Sequence, residues 1–406
     1  MKTVLAALLI ALALTTGGCW DSHELDNLSI VMGIGLDAGQ GGEAQEGGAQ
    51  SAEAASAQPV IFTVQIGDIV GANAESAAGS DFFLLEKETD SILSTINYLK
   101  YESSRRLFLH HNQLILFGEE LAQGGLLQFI DFFMRDFQTR KEVWLFLSEG
   151  TAKELLAAKL PQEKISSIGI MNMTGSDEHI YDYIGVNLID FTSKLLDKTT
   201  APIMPVLSLQ HENDVNSIRI SGLGVFEGDK LVDVLDADEI RGFLWTVAGI
   251  DAGVVRVESH EGSAALRVEG CSHKIVPLIR ADGGVDFQVR LYIRLSLDEL
   301  NGFDGKDINE IYSIAEGLVA GEIDRLMQNT LAHAKELGTD IYGFGSKTHS
   351  AHPKKWAQME GNWDEIFKNV NIDAEIKVSI ADTGRLLEAL TSLVELPYSK
   401  EVSSDA

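Results

Sequence analysis

"VDFQVRLYIRLSLD", Val285 to Asp298, alternates apolar and polar residues without a break. Val285, Phe287, Val289, Leu291, Ile293, Leu295 and Leu297 share one face, and Asp286, Gln288, Arg290, Tyr292, Arg294 and Ser296 share the other. A period of two belongs to an extended strand, and this split predicts one packed face and one wet face, the habit of antiparallel sheets. "VNIDAEIKVSIAD" repeats the pattern with Val370, Ile372, Ala374, Ile376, Val378 and Ile380. Between the two strands the period changes. Ile308, Ile311, Ala315, Val319, Ile323, Leu326 and Leu337 fall on one helical stripe that ends at Gly338. A long amphipathic helix lying across the apolar face of a sheet makes this an α+β domain.

The N-terminal half is built from shorter units. "LSIVMGIGLD" reads as the first strand, with "PVIFTVQI", Pro59 to Ile66, as its pairing partner. The tract between them is Gly, Ala, Gln, Glu and Ser with no large side chain to bury, so residues 39–58 are expected to be a disordered acidic insert. "LFLHHNQLILFG" reads as a strand or strand pair, and "LLQFIDFFMRDF" places Leu126, Ile130, Phe133 and Phe137 on one helical stripe. "EVWLFLSEG" then returns as a buried strand. Strand, helix, strand implies an α/β layer arrangement. Further along, "RISGLGVFEGDKLVDVLD" gives two short strands around Glu227-Gly228-Asp229, and "ADEIRGFLWTVAG" a short helix.

The expected organisation is a mixed α/β, multi-domain α+β chain of three domains, with antiparallel sheets packed by amphipathic helices. Residues 1–18 are a leader and 19–200 an N-terminal α/β domain. A middle region spans 201–262, a C-terminal α+β domain 263–395 and a disordered tail 396–406.

The leader is physical in origin. Lys2 precedes the apolar run Val4 to Leu14, which is far shorter than the ~20 residues that span a bilayer. Thr16, Gly17 and Gly18 stand directly before Cys19. Small residues there suit a lipoprotein signal peptidase, with Cys19 carrying diacylglycerol. The other reading is a secretory signal cut elsewhere, with Cys19 an ordinary thiol. No other small-residue site follows the apolar run so closely, although Thr16 stands where lipobox motifs usually carry Leu. With Cys19 lipidated, Cys271 has no intramolecular partner, so disulfides do not hold the fold.

The formal net charge is −29. Such a surface repels nucleic acid and anionic headgroups and keeps an exported domain soluble. Catalytic and metal motifs are missing. His349 and His352 have no Cys, Asp or Glu at metal-site spacing and read as a solvated loop. The adjacent His110 and His111 would point to opposite faces of a strand. There is no G-x-S-x-G, S-x-x-K or H-E-x-x-H. With 61 carboxylates, no chosen pair argues for acid/base chemistry.

Four stretches carry a resemblance: "GCWDSHELDNLSIVMGIGLD"; "RRLFLHHNQLILFGEELA" through "FFMRDFQTR"; "GLGVFEGDKLVDVLDADEIRGFLW"; and "GTDIYGFGSKTHSAHPKKWAQMEGNWDEIFKNVNIDAEIKVSI". In this order they resemble the lipoprotein C subunit of spore germinant receptors, the Ger(x)C or GerAC family. The resemblance implies a non-enzymatic, cofactor-free lipoprotein on the outer face of the spore inner membrane, joined to it through Cys19. It also implies partnership with integral-membrane A and B subunits in nutrient-triggered germination. Trp245, Trp356 and Trp363 in these motifs suit either interdomain packing or docking of a partner. A lipid-anchored solute-binding protein is the competing reading, and it would need two comparable lobes around a closed pocket. An exported hydrolase would need an unrecognised carboxylate pair in a cleft.

Overall fold

The computed structural model describes residues 28–39, 59–67, 82–102, 105–174, 179–180, 183–213 and 215–381. Cys19 with the leader, residues 40–58 of the acidic insert and the tail 396–406 lie outside these residues. β1 (Leu28–Ala38) and β2 (Val60–Gly67) form the expected antiparallel pair, with Leu36 opposite Phe62. β3 (Phe82–Thr89) continues antiparallel to β2. After the helix Ile92–Glu102, β4 (Arg106–Phe108) and β5 (Leu114–Gly118) both run parallel to β1. The helices Glu119–Gly124 and Leu127–Arg135 lead to β6 (Trp144–Ser148), parallel to β5.

β5 reads LILFG and β6 WLFLS, with no alternation. The reason is burial on both faces, as parallel strands require. Ile115, Phe117, Leu145 and Leu147 pack with Leu121 and Ile130 on one side. Leu114, Leu116 and Phe146 pack on the other with Leu155, Leu156 and Ile170, from the helices Ala152–Ala157 and Ser166–Thr174.

β7 (His179–Ile180) and β8 (Tyr183–Ile184) make a small separate pair, followed by the helix Leu188–Leu196. β9 (Ile203–Glu212) then joins β6 in parallel, and β10 (Val215–Glu227) and β11 (Lys230–Leu235) follow antiparallel. Among the described residues this sheet has nine strands, in the order β11-β10-β9-β6-β5-β1-β2-β3 with β4 beside β1.

The second sheet has the order β12 (Val254–Ser259), β13 (Gly262–Ile279), β14 (Val285–Gly302), β15 (Ile372–Ala381). On β14, Val285, Phe287, Val289, Leu291, Ile293 and Leu295 are all buried, as the alternation predicts. Each such side chain contributes about 1.5–3 kcal/mol over its exposed state. A one-residue slip would bring Arg290 and Arg294 into the core instead, so the register is strongly specified. The helix Ile308–Leu337 covers this face. The Asp307 side chain caps its start by accepting the N–H groups of Asn309 (2.9 Å) and Glu310 (3.0 Å), and it ends at Gly338 with φ 68°. Because the chain returns through this helix, β15 pairs with β14 in parallel, whereas β13 pairs with it antiparallel.

The residues grouped in sequence as a middle region, 201–262, are shared between the sheets: β9 to β11 extend the first and β12 opens the second. One apolar core runs from Phe62 and Ile130 in the first to Val289 and Val319 in the second.

Three local expectations change. Phe137 leaves the helical stripe because the helix ends at Arg135, and its ring is 82% exposed. His110 and His111 sit in a 3-10 turn, Leu109–His111, rather than on a strand, and both rings gather around Phe108 at 4.9 and 5.6 Å. His349 lies on the helix Phe344–Ala351 and stacks on Trp356, with ring centroids 5.8 Å apart.

Candidate functional site

The residues after the long helix form a closely hydrogen-bonded turn. Asp340 follows Gly338 by two positions, and its carboxylate is buried. One oxygen, Oδ1, accepts the main-chain N–H groups of Tyr342 and Phe344, each at 3.1 Å. The other, Oδ2, accepts the N–H of Gly345 at 2.8 Å and the indole N–H of Trp363 at 3.2 Å. Burial pushes the Asp340 carboxyl up to about 6, against the pull of these four donors. A carboxylate with this many amide donors acts as a template, fixing the turn that the glycines of "IYGFG" allow.

The same turn clamps the segment between the helix Leu188–Leu196 and β9. The Asp340 carbonyl accepts the N–H of Ala201 at 2.9 Å. Asp197 accepts from Thr199 N (2.9 Å), Thr199 Oγ1 (2.9 Å), Thr200 Oγ1 (3.1 Å) and Ser346 Oγ (2.8 Å). Desolvation pushes the Asp197 carboxyl up, but the combined hydrogen bonds outweigh it and hold the group below its usual range. Gly345 is required by proximity: a Cβ there would stand 2.5 Å from Thr199 Cβ and 3.0 Å from Trp363 Nε1. Aromatic rings fill the space beneath. Phe344 stacks on Phe287 at 3.9 Å and on Tyr342 at 4.8 Å.

The helix Ala237–Val247 docks on the long helix beside this turn. Its start is a capping box, with the Asp236 side chain accepting the N–H of Glu239 and the Glu239 side chain accepting that of Asp236. Its middle is Gly242, where a Cβ would collide with the main-chain oxygen of Leu326 and with Thr330 Oγ1. The contact is sealed by His333, whose ring nitrogens lie 2.5 Å from Glu239 and 3.0 Å from Asp233. Desolvation lowers the His333 pKa, but the two carboxylates outweigh it and raise the pKa overall.

The tryptophans singled out by sequence belong to this region. Trp245 is 0% exposed, Trp356 4% and Trp363 3%. Trp356 and Trp363 lie 5.1 Å apart between ring centroids, on the short helices Pro353–Met359 and Trp363–Phe367. Cys19 is outside the described residues. Sequence reasoning quoted "GTDIYGFG" but passed over Asp340 and His333. The signal available was an Asp two residues past a helix C-cap and directly before a Gly-rich turn. Among the described residues no group of three or more His, Cys, Asp or Glu side chains could hold a metal ion.

Comparison with known proteins shows the family of the chain. Residues 21–209 match the model described as "Spore germination protein N-terminal domain", and residues 221–384 match "Spore germination B3/ GerAC like, C-terminal". The chain belongs to the GerAC family of spore germination proteins. Among its relatives in Bacillus subtilis (strain 168), Spore germination protein KC is 24% identical over 94% of this chain and 96% of that protein. Spore germination protein B3 is 21% identical over 90% and 94% respectively. The solved structure titled "Crystal Structure of the GerBC protein" superposes with a TM-score of 0.56, covering 80% of this chain and 94% of that one at 18% identity, and so shares its fold. The two GerAC-family matches meet inside the β9–β10 hairpin, the first ending on β9 and the second beginning on β10. Asp340, in the second matched region, bonds Ala201 in the first. No helix among the described residues is long and apolar enough to cross a membrane.

Proposed function

We propose that the chain is a non-enzymatic, lipid-anchored subunit of a spore germinant receptor, tethered through Cys19 to the outer face of the spore inner membrane. It acts there by contact with the integral-membrane A and B subunits. The observation that carries this reading is the ordered match of both GerAC-family regions, which begins at residue 21, two positions after Cys19. Eight residues, 20–27, separate Cys19 from β1. Fully extended, the nine steps from Cys19 to Leu28 reach no more than about 32 Å, so the first sheet stays close to the bilayer.

The three tryptophans serve this function from inside. Their indoles are covered, so a partner meets the outer residues of the helices they hold, Lys354, Lys355 and Asp364 among them, and not the rings. Residues 19–200, 201–262 and 263–395 act as three linked parts in this reading, with the Asp340 turn as their common joint.

The test is metabolic lipid labelling and membrane fractionation in a sporulating host, with germination scored on nutrient addition. The wild-type chain should carry label, sediment with the inner membrane and restore germination to a strain lacking it. Cys19→Ala should lose all three. A wild-type chain that is unlabelled and freely soluble would sink the proposal. Saturable binding of an amino acid or sugar by the chain alone would favour the solute-binding reading.

A further inference from the structure

Part of the contact between the helix Ala237–Val247 and the long helix is indifferent to protons. Gly242 lies against the main chain of Leu326, and the Thr330 hydroxyl donates to the Glu239 carbonyl at 3.1 Å. One turn further along the long helix stands His333, whose contacts do depend on protons. Its Nδ1 lies 2.5 Å from Glu239 Oε1, and its Nε2 lies 3.0 Å from Asp233 Oδ2. A neutral imidazole has one N–H and one lone pair. It could donate to one of these carboxylates, and its lone pair would then face the other. Both contacts close together only when the ring is an imidazolium that donates from both nitrogens.

The two carboxylates are held differently. Glu239 Oε2 accepts the N–H of Asp236 at 2.9 Å in the capping box, which fixes the side chain to its own helix. Asp233 is on β11, the outermost strand of the first sheet, where it alternates with the buried Leu231 and Leu235. Its Oδ1 accepts the N–H of Val234, the next residue, at 2.7 Å. The Asp233 side chain is 37% exposed and that of Glu239 21%, so Asp233 is the partner that water replaces more easily. The charges around them are matched without the ring. On the helix Ala237–Val247, Asp238 pairs with Arg241 at 3.0 Å and with Arg325 of the long helix at 3.5 Å, and Arg325 pairs with Glu322 at 2.7 Å. Asp236 accepts the N–H of Glu239 at 2.9 Å, and Lys335 donates to the Val370 carbonyl at 2.9 Å. On the turn beyond the long helix, Tyr342 is buried and Asp340 is held by its four N–H donors.

We propose that His333 is a proton-controlled brace: as the imidazolium it ties β11 of the first sheet to the helix that covers the second, and on losing its proton it keeps Glu239 and releases Asp233. The two carboxylates raise the proton affinity of the ring, and this sets the sense of the change. An unfolded histidine titrates near about 6.5. The contribution of the brace is therefore complete below about that pH and is lost as pH rises through the higher folded-state value. The brace is independent of the receptor reading, because it needs neither the lipid at Cys19 nor a membrane subunit.

Nitrogen NMR of the mature chain carrying Cys19→Ala, with isotope in its histidine rings, reads the protonation of His333 directly. His333→Gln and Asp233→Asn together identify its signal. Hydrogen exchange of peptides covering β11, followed by mass spectrometry from about pH 6 to about pH 9 and corrected for the intrinsic rate, reads the strand. The ring should carry two N–H groups at the acid end and lose the Nε2 proton as pH rises. Across the same interval exchange in β11 should rise about tenfold, the order expected for losing one charge-assisted hydrogen bond. Asp233→Asn supplies an amide that can donate to a neutral ring or accept from a charged one, so β11 should stay protected throughout. Asp340 is unchanged in that chain, so its own titration does not confuse the comparison. A ring already neutral at the acid end, a final state that keeps the Nε2 proton, or a step in β11 that survives in Asp233→Asn would each overturn the proposal.

Discussion

Trp363 donates its indole N–H to Asp340 Oδ2 across 3.2 Å, linking the short helix Trp363–Phe367 to the turn that follows the helix Ile308–Leu337. The same oxygen takes the N–H of Gly345, and the partner oxygen takes two more. Every donor in this set is buried, so none has water to fall back on.

Replacing Asp340 with Ala would strand four N–H groups in the core. Removal of one member of a buried charged network costs about 3–5 kcal/mol. The expected result is a lower urea midpoint with an unchanged slope. A loss under 1 kcal/mol would mean that the turn is held by its aromatic rings alone.

The same carboxyl makes stability depend on pH in a defined direction. Its folded-state pKa of about 6 lies above the ~3.9 of an unfolded Asp. Between those values the folded chain keeps a proton that the unfolded chain has lost. The contribution is therefore complete below about pH 4 and declines as pH rises through about 6, amounting to roughly 3 kcal/mol. Asp340→Asn should remove this decline while lowering stability throughout. Urea titrations at half-unit steps from pH 4 to 7 on both chains compare the slopes; equal slopes would contradict the assignment.

Gly242→Ala introduces a single methyl group where the helix Ala237–Val247 touches the long helix. The methyl meets a main-chain oxygen that cannot rotate away, so the helices must separate. Overpacking of this kind costs about 1–3 kcal/mol, and His333 would lose contact with Glu239. Thermal unfolding should show the loss, and Gly317→Ala on the open side of the long helix, where nothing lies within 4 Å, should show none.

Cys271 is a free thiol whose pKa burial pushes up to about 11 from the ordinary 9. At pH 8 its thiolate fraction falls about a hundredfold, and alkylation should slow in proportion. Iodoacetamide labelling followed by mass spectrometry, native against urea-unfolded, measures the ratio. Native labelling as fast as unfolded labelling would show that the thiol is not shielded.

Local order was legible where one period ruled a long stretch. The alternation from Val285 to Leu295 and the stripe from Ile311 to Leu326 both reappear in space, because each element packs one face on a continuous core, whereas at the end of the strand Ser296 is buried and Leu297 only half-buried. Legibility failed where burial is two-sided or the chain turns early. β5 and β6 carry no alternation, so their neighbours could not be read from them. Phe137 continues the apolar stripe in sequence, yet the helix stops two residues before it. Pairing of β6 with β9 is invisible locally, since more than fifty residues separate them. Asp340 is one carboxylate among 61, and only its position in the fold distinguishes it.

β14 has its apolar face covered by the long helix and its free edge covered by β15, and both arrive after it in the chain. Until residue 381 has emerged, β14 offers an unpaired apolar edge from Phe287 to Ser296. Closing that edge requires the whole of a thirty-residue helix to form and cross back first. Such a loop closes slowly compared with a hairpin. The interval between emergence of β14 and arrival of β15 is the period of greatest exposure of this edge to aggregation and proteolysis. Substitutions on β15 should therefore reduce the amount of protein that completes folding more than they alter the stability of the protein already folded.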